Sequence, residues 1–480
     1  MTERMISPRP GAAPFIRRSF GVAAVLAAVA ATVMTGCAPA RAVLTTPAAP
    51  PGATVPASFS PQDLSDTWER ERVSWPAPPL VRHADVEARL RDVQAQAPDL
   101  LQVEEIGRSV EGRSLNHVQF GRGPLRVLLW SQMHGDEPTA TAALFDVFEQ
   151  FRRHRNEPAF ARMLDALTIH AVPMLNPDGA ERYQRRNAQG IDINRDALRL
   201  QTPEGRALKA LRDRLDPAIG FNLHNQGWRT SAGKTGQPAS ISLLSVAFDE
   251  ARTTSPGRVL TKKTAAIIRD ALEPLAPGRI ARYDDEFEVR AFGDNLTKWG
   301  TSVVLIETGP WPAADPDPHL VRLNFVALMT ALDALATGRV AQADVRRYES
   351  LPINETNLFY LLIRNATVVP GNAVPPFTAD VGIVAARGMR SADGSREASL
   401  TARIEDLGDL HTMAGLEEID AQGLFVAPLW DPSLREGGTV ALPDFAARRA
   451  PRLVAPGEPA ELVILRREGE RYRVERLIKY

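Results

Sequence analysis

His134 and Glu137 stand three residues apart at the end of RVLLWSQMHGDE, residues 126 to 137. An imidazole nitrogen and a carboxylate oxygen at that spacing are two of the three protein ligands of a catalytic zinc, with water in the fourth place. The spacing alone does not identify a site, because it recurs at His154 and Glu157 inside RRHRNE. Context separates the pairs: the first follows an apolar run, whereas the second lies in a solvated stretch with nothing apolar to enclose an ion. A third donor is available in His224, after the apolar run Ile219 to Leu223. A lone histidine in such a place reads as readily as a hydrogen-bonded structural residue, and its value as a ligand comes from the strand-end pair. His170, inside an apolar run, and His319, after DPDP, read as structural. Further reactive groups follow two other apolar runs, NPDG at 176 to 179 and Glu307-Thr308-Gly309. Arg185, Arg186 and Arg195 lie in the polar stretch from Asn176 to Asp196, and guanidinium suits a carboxylate or a developing oxyanion.

Such residues need strands to end beside one another. From about residue 79 to 340 short apolar runs alternate with amphipathic ones, which predicts an α/β unit with a mixed, mostly parallel sheet flanked by helices. The expected strands are 100–106, 118–120, 127–130, 167–173, 219–223, 241–246 and 302–306, and the expected helices 86–95, 139–152, 203–214, 260–272 and 320–336. In open sheets of this kind ligands collect at the carboxyl ends of the strands, which is where these groups fall. Residues 345–480 read instead as short strands between Pro and Gly turns, a second, smaller β-rich domain.

The 57 Lys plus Arg balance 58 Asp plus Glu, so no basic surplus draws the chain to nucleic acid. Cys37 is the only cysteine, which excludes an intramolecular disulfide and a thiolate metal cluster. Residues 1–37 read as an export signal: four arginines, then an apolar run from Gly21 to Thr35 that is shorter than the roughly 20 residues of a comfortable membrane span. The ending MTGC resembles the lipobox of bacterial lipoproteins, which implies acylation of Cys37. RRSF at 17 to 20 resembles a twin-arginine signal, although Gly21 follows. Residues 38–78, rich in Ala and Pro, read as an extended tether. The expected location is the bacterial cell envelope, with the protein lipid-anchored to a membrane and facing the periplasm in a Gram-negative cell.

GRSVEGRSL at 107 to 115, HGDE at 134 to 137, NPDG at 176 to 179, RRNAQGIDINR at 185 to 195, His224 and IETG at 306 to 309 together resemble the zinc carboxypeptidases related to carboxypeptidase A. The resemblance implies one zinc per chain held by His134, Glu137 and His224, with Glu307 as the general base. It implies oxyanion stabilisation by Arg185 and a grip on a substrate's free carboxylate by Asn194 and Arg195, with Tyr283 as counterpart of the family's mobile tyrosine. Asp136 departs from the basic residue of the animal digestive members, so their specificity does not transfer. The segments 361–384 and 455–465 resemble the small composite β-domain of amidohydrolases, but His411 alone cannot supply that family's metal site. The function expected is a metallocarboxypeptidase acting on peptides or cell-wall peptides; the alternatives are a murein peptide amidase, an amino acid deacylase, or a non-catalytic zinc-containing binding protein.

Overall fold

The computed structural model describes residues 57–313, 315–392 and 395–480, all within one compact unit. The export signal, Cys37 and the first part of the tether lie outside the described residues.

The first sheet has eight strands: β1 (Gln102–Arg108), β2 (Ser114–Gly121), β3 (Leu125–Ser131), β4 (Leu167–Val172), β5 (Ile219–Asn225), then, beyond the short β6 (Thr230–Ala232), β7 (Ile241–Ser245), β8 (Ile280–Arg282) and β9 (Ser302–Thr308). Their order is β1-β2-β4-β3-β5-β9-β7-β8. The four central strands β4, β3, β5 and β9 run parallel, while antiparallel pairing begins at β2 and at β7. This is the mixed, mostly parallel sheet expected from the alternation.

The helices are α1 (Pro61–Glu71), α2 (His83–Gln96), α3 (Thr139–His154), α4 (Pro158–Ala166), α5 (Pro177–Arg182), α6 (Pro203–Leu215), α7 (Pro256–Leu272), α8 (Phe292–Lys298), α9 (Asp317–Ala336) and α10 (Arg346–Glu349). Both faces of the sheet are covered, which is why its central strands read as continuous apolar runs. In β3, Val127 and Leu129 enter the core with Phe145 and Phe148 of α3 and with α9, and Leu128 and Trp130 enter the opposite core with Leu208 of α6 and Phe292 of α8. Helix α9 is apolar enough to cross a membrane, but 83% of its most hydropathic window is buried inside the protein, between α3 and α7.

Two segments depart from the expected boundaries. Residues 57–78, read as tether, contain α1: Pro61 opens the helix instead of extending a linker, and Ser60 and Asp63 cap it reciprocally. Trp68 of α1 is buried and donates to Asp146 Oδ2 at 2.7 Å. Likewise, residues 346–356, read with the C-terminal region, pack on the first sheet: Tyr348 lies in its core, its hydroxyl accepting from the Ser245 amide at 3.0 Å, and β10 (Asn354–Thr356) pairs with β6.

A separate β-rich region follows, made of β11 (Leu358–Val368), β12 (Phe377–Ala392), β13 (Ser395–Gly408), β14 (Ala414–Asp420), β15 (Leu424–Pro428), β16 (Thr439–Val440), β17 (Leu462–Glu468) and β18 (Arg471–Ile478), with its own core around Leu361, Val381, Val426 and Ile464. The long antiparallel hairpin β12–β13 pairs from Asp380↔Gly408 to Ala392↔Ser395, with one register shift between Gly382 and Ile383.

If α1 belongs to the fold, Trp68→Ala in the intact chain removes about 3–5 kcal/mol of stability, read as a fall in the urea midpoint. A loss below about 1 kcal/mol, the range of ordinary surface changes, would mark this stretch as a detachable tether.

Candidate metal centre and active site

β3 ends at Ser131 and the chain turns sharply towards α3. Gln132 takes a left-handed backbone, φ 50°, held by its own side chain: Nε2 donates to Gly135 O and Oε1 accepts from Thr141 Oγ1, both at 3.0 Å. At Gly135 any Cβ would sit 2.0 Å from the Gly179 carbonyl carbon, so only glycine lets this turn lie against NPDG. His134 and Glu137 are thereby placed beside the end of β5. There His224 pairs in register with Glu307 of β9, and parallel strands in register send paired side chains to the same face.

Among the described residues, His134, Glu137 and His224 form the only group of three or more potential metal-ligating side chains, with ligand atoms all within 4.8 Å. His134 Nδ1 lies 2.7 Å from Glu137 Oε1 and 3.2 Å from His224 Nδ1, and His224 Nδ1 lies 2.7 Å from Glu137 Oε2. His134 Nε2 faces Asp192 Oδ1 at 3.1 Å, an acceptor that fixes its N–H there and turns the Nδ1 lone pair inward in the neutral ring. Two imidazole nitrogens facing one another beside a carboxylate make a set that a shared cation satisfies. Two nitrogens and one oxygen are the donor types of a catalytic zinc site, so the residues fit that ion.

The electrostatics are those of a preformed cation site. Burial alone would raise the Glu137 carboxyl, but the charges and hydrogen bonds of His134 and His224 hold it well below the usual range. Burial opposes charge on His134, yet Glu137 and Asp192 overcome it and raise its pKa to about 9. Burial lowers that of His224 despite Glu137. Glu307 is 9% exposed, its Oε2 has no hydrogen-bond partner, and burial reinforced by the charge of Glu137 raises its pKa.

Arg185 Nη1 lies 3.1 Å from His134 Nδ1 and its Nε donates to Asp192 Oδ2 at 3.0 Å, so it sits at the rim of the cluster. A cavity of about 440 Å³ opens there, lined by His134, Glu137, Arg185, Asn194, Arg195, Tyr283 and Glu307 among others. The expected metal, catalytic and substrate-binding residues of the described chain thus line one space, except His224, which joins the cluster through Glu137. Asn194 Oδ1 accepts from the Phe292 amide at 2.9 Å, leaving its NH₂ as the group it can offer a ligand. Arg195 is not idle: its Nε lies 3.2 Å from Glu288 and its Nη1 donates to Asn194 O at 2.8 Å. Tyr283, 37% exposed, follows β8, and burial of its phenol raises the pKa, with Glu307 and Glu137 adding to the effect.

NPDG works as scaffold. Asn176 caps α5 by accepting from the Gly179 amide, and its Nδ2 holds Arg185 O at 3.2 Å. Asp178 turns away from the cluster to Ser109 Oγ at 2.7 Å, Arg113 at 2.6 Å and the Glu111 amide at 3.0 Å. The residue that sequence reasoning missed is Asp192. Its signal was a carboxylate within RRNAQGIDINR and the general need of a ligating histidine for an acceptor on its second nitrogen. The competing pair His154 and Glu157 joins Glu71 in an ion-pair network at the surface, Nδ1 at 2.7 Å from Glu157 and Nε2 at 2.8 Å from Glu71.

A buried His₂Glu set at the carboxyl edge of parallel strands, with Glu307 in register beside it, has the donor types of a zinc site. Residues 86–239 match the family model described as zinc carboxypeptidase. The match takes in all three metal donors, Arg185, Asn194 and Arg195, and stops before Tyr283 and Glu307. Carboxypeptidase E of Caenorhabditis elegans is 33% identical over 134 residues, 24% of this chain and 28% of that protein. The carboxypeptidase N catalytic chain of Rattus norvegicus is 32% identical over 143 residues, 25% of this chain and 31% of that protein. The chain thus spans less than a third of these relatives' length. Among solved structures, a metallo-carboxypeptidase from Burkholderia cenocepacia superposes with a TM-score of 0.41 at 19% identity, over 52% of this chain and 69% of that one.

Because His134 holds a proton up to about pH 9 in the protein alone, zinc must displace it, and affinity rises about ten-fold per pH unit between roughly pH 6 and 8. Chelator competition measures this, and Asp192→Asn weakens binding about 10- to 100-fold. An affinity flat with pH and unchanged in the variant would remove His134 from the ligand set.

Proposed function

We propose that the chain is a zinc-dependent metallocarboxypeptidase that hydrolyses the last peptide bond of substrates with a free C-terminus. The observation that carries this reading is the buried His134–Glu137–His224 set with Glu307 in register beside it, opening on a cavity that also holds Asn194 and Arg195. The carboxypeptidase names of the relatives support the same substrate class.

Zinc supplies Lewis acidity when bound, polarising a carbonyl and acidifying water. Glu307 takes the proton of the attacking water on its unpartnered Oε2 and returns it to the departing amine; a buried carboxylate whose pKa is raised by desolvation and by the charge of Glu137 is suited to both transfers. Arg185, already aimed at His134 and Glu137, supplies donors where negative charge grows on the scissile carbonyl oxygen. Arg195 and the Asn194 amide receive the terminal carboxylate, which competes with Glu288 for the guanidinium.

Glu307→Gln keeps zinc but lowers kcat about 10²- to 10⁴-fold, since an amide can neither accept nor return the proton. Turnover within a few-fold of the parent would sink the general-base role. Matched peptides with free and amidated C-termini separate exopeptidase from amidase: Arg195→Ala costs about 10- to 100-fold in kcat/KM on the free peptide and little on the amide. Equal cleavage of both by the parent would replace this reading with an amidase or deacylase.

A further inference from the structure

A second cavity, of about 570 Å³, lies beside the first and within the ~300–1,000 Å³ range of ligand pockets. The two share Glu137, Arg185 and the loop Asn225 to Gly227, so a chain drawn past the metal donors enters both. The role of the second cavity rests on the peptidase reading, in which the cavity with Asn194 and Arg195 takes the C-terminal residue. The other then takes the residue before it.

One wall of this second cavity comes from the first sheet, with Trp228 after β5 and Trp311 after β9, and the facing wall is the hairpin β12–β13 of the C-terminal region, through Ala385 to Arg387 and Ala398 to Leu400. Three contacts pin the hairpin across the cleft. Arg387 donates to Asp317 Oδ1 at 2.7 Å, at the start of α9; Arg396 donates to Ala180 O at 2.9 Å, in α5; and Glu405 accepts from Arg229 at 2.9 Å, five residues beyond His224. Arg387 also lies over the Trp228 ring at 5.4 Å, and Trp228 stacks on Tyr360 of β11 at 5.2 Å. With Arg387 paired to Asp317, the hairpin offers this space no spare guanidinium for a carboxylate. Apart from Ser399, the hairpin lining between these contacts is aliphatic, Ala385, Ala386, Ala398 and Leu400, with the aromatic Trp228 and Tyr360 beside it, while the charged lining groups Asp136 and Arg185 belong to the side shared with Glu137.

We propose that the hairpin β12–β13 is the upstream wall of the substrate cleft, and that Trp228, Tyr360 and Leu400 select an apolar or aromatic side chain at the residue preceding the scissile bond. The C-terminal region is then part of the specificity apparatus of the peptidase.

The test uses the full chain with zinc and blocked dipeptides that share one C-terminal residue and carry Phe, Gly or Asp before it. The parent favours Phe over Gly and Asp by roughly ten-fold or more in kcat/KM. Leu400→Ala, which strips the wall, and Ala398→Trp, which fills the space from an exposed position, each reduce that ratio roughly ten-fold, mainly through KM, and leave the ranking of C-terminal residues unchanged. A parent without upstream preference, or a ratio held within about two-fold in both variants at parental melting temperature, overturns the proposal. Calorimetric binding of the same peptides to Glu307→Gln chains, with and without the hairpin changes, separates the two readings. If the parent cleaves nothing but binding ranks Phe first and loses that ranking in the hairpin variants, the wall stands and the peptidase reading falls. If cleavage proceeds and neither kinetics nor binding responds to the hairpin, the wall falls and the peptidase reading stands.

Discussion

The Glu137 carboxylate, held between two imidazoles inside the protein, is the contact on which the rest depends. Its oxygens lie 2.7 Å from His134 Nδ1 and 2.7 Å from His224 Nδ1, and a second buried carboxylate, Glu307, stands beside them. Removing two acidic groups from water is costly unless positive charge is held close by. Arg185 at the rim supplies part of it, and the imidazoles of His134 and His224 with Glu137 form a set that could hold a cation to supply the rest.

That demand propagates outward. Arg185 can reach the cluster because its carbonyl is held by Asn176, whose own helix is docked by Asp178 onto the turn Ser109 to Arg113. Motifs far apart in sequence are thus successive supports of one guanidinium. On the other side, the strand that carries His224 runs on through Gln226, which accepts from Asn354 Nδ2 at 2.7 Å, and Arg229, whose carbonyl accepts from the Leu358 amide at 3.1 Å. The loop that leaves the metal donors is therefore the same loop on which the C-terminal sheet is mounted. A shift of that sheet would be felt within a few residues of His224.

Local pattern is enough to specify the layers and the chemical types. Strands buried on both faces must be continuously apolar, so β3, β5 and β9 were legible, and the polar groups after them had to fall at one sheet edge. His134, Glu137, His224, Glu307 and the arginines were all visible as types that suit a metal and a carboxylate. What such pattern could not carry was pairing at a distance. Whether NPDG supplied chemistry or support was decided by Asp178 turning to Ser109; that Arg195 shares its charge with Glu288, and that Asp192 orients His134, were decided by loops meeting across the cleft. Residues 61–71 looked like linker because prolines precede them, and only the burial of Trp68 against Asp146 makes them core. The hairpin β12–β13 reads in sequence as an ordinary antiparallel pair; its place against the cavity beside Glu137 comes from Arg387, Arg396 and Glu405 finding partners over 170 residues away in two cases and 70 in the third, contacts that no periodicity encodes.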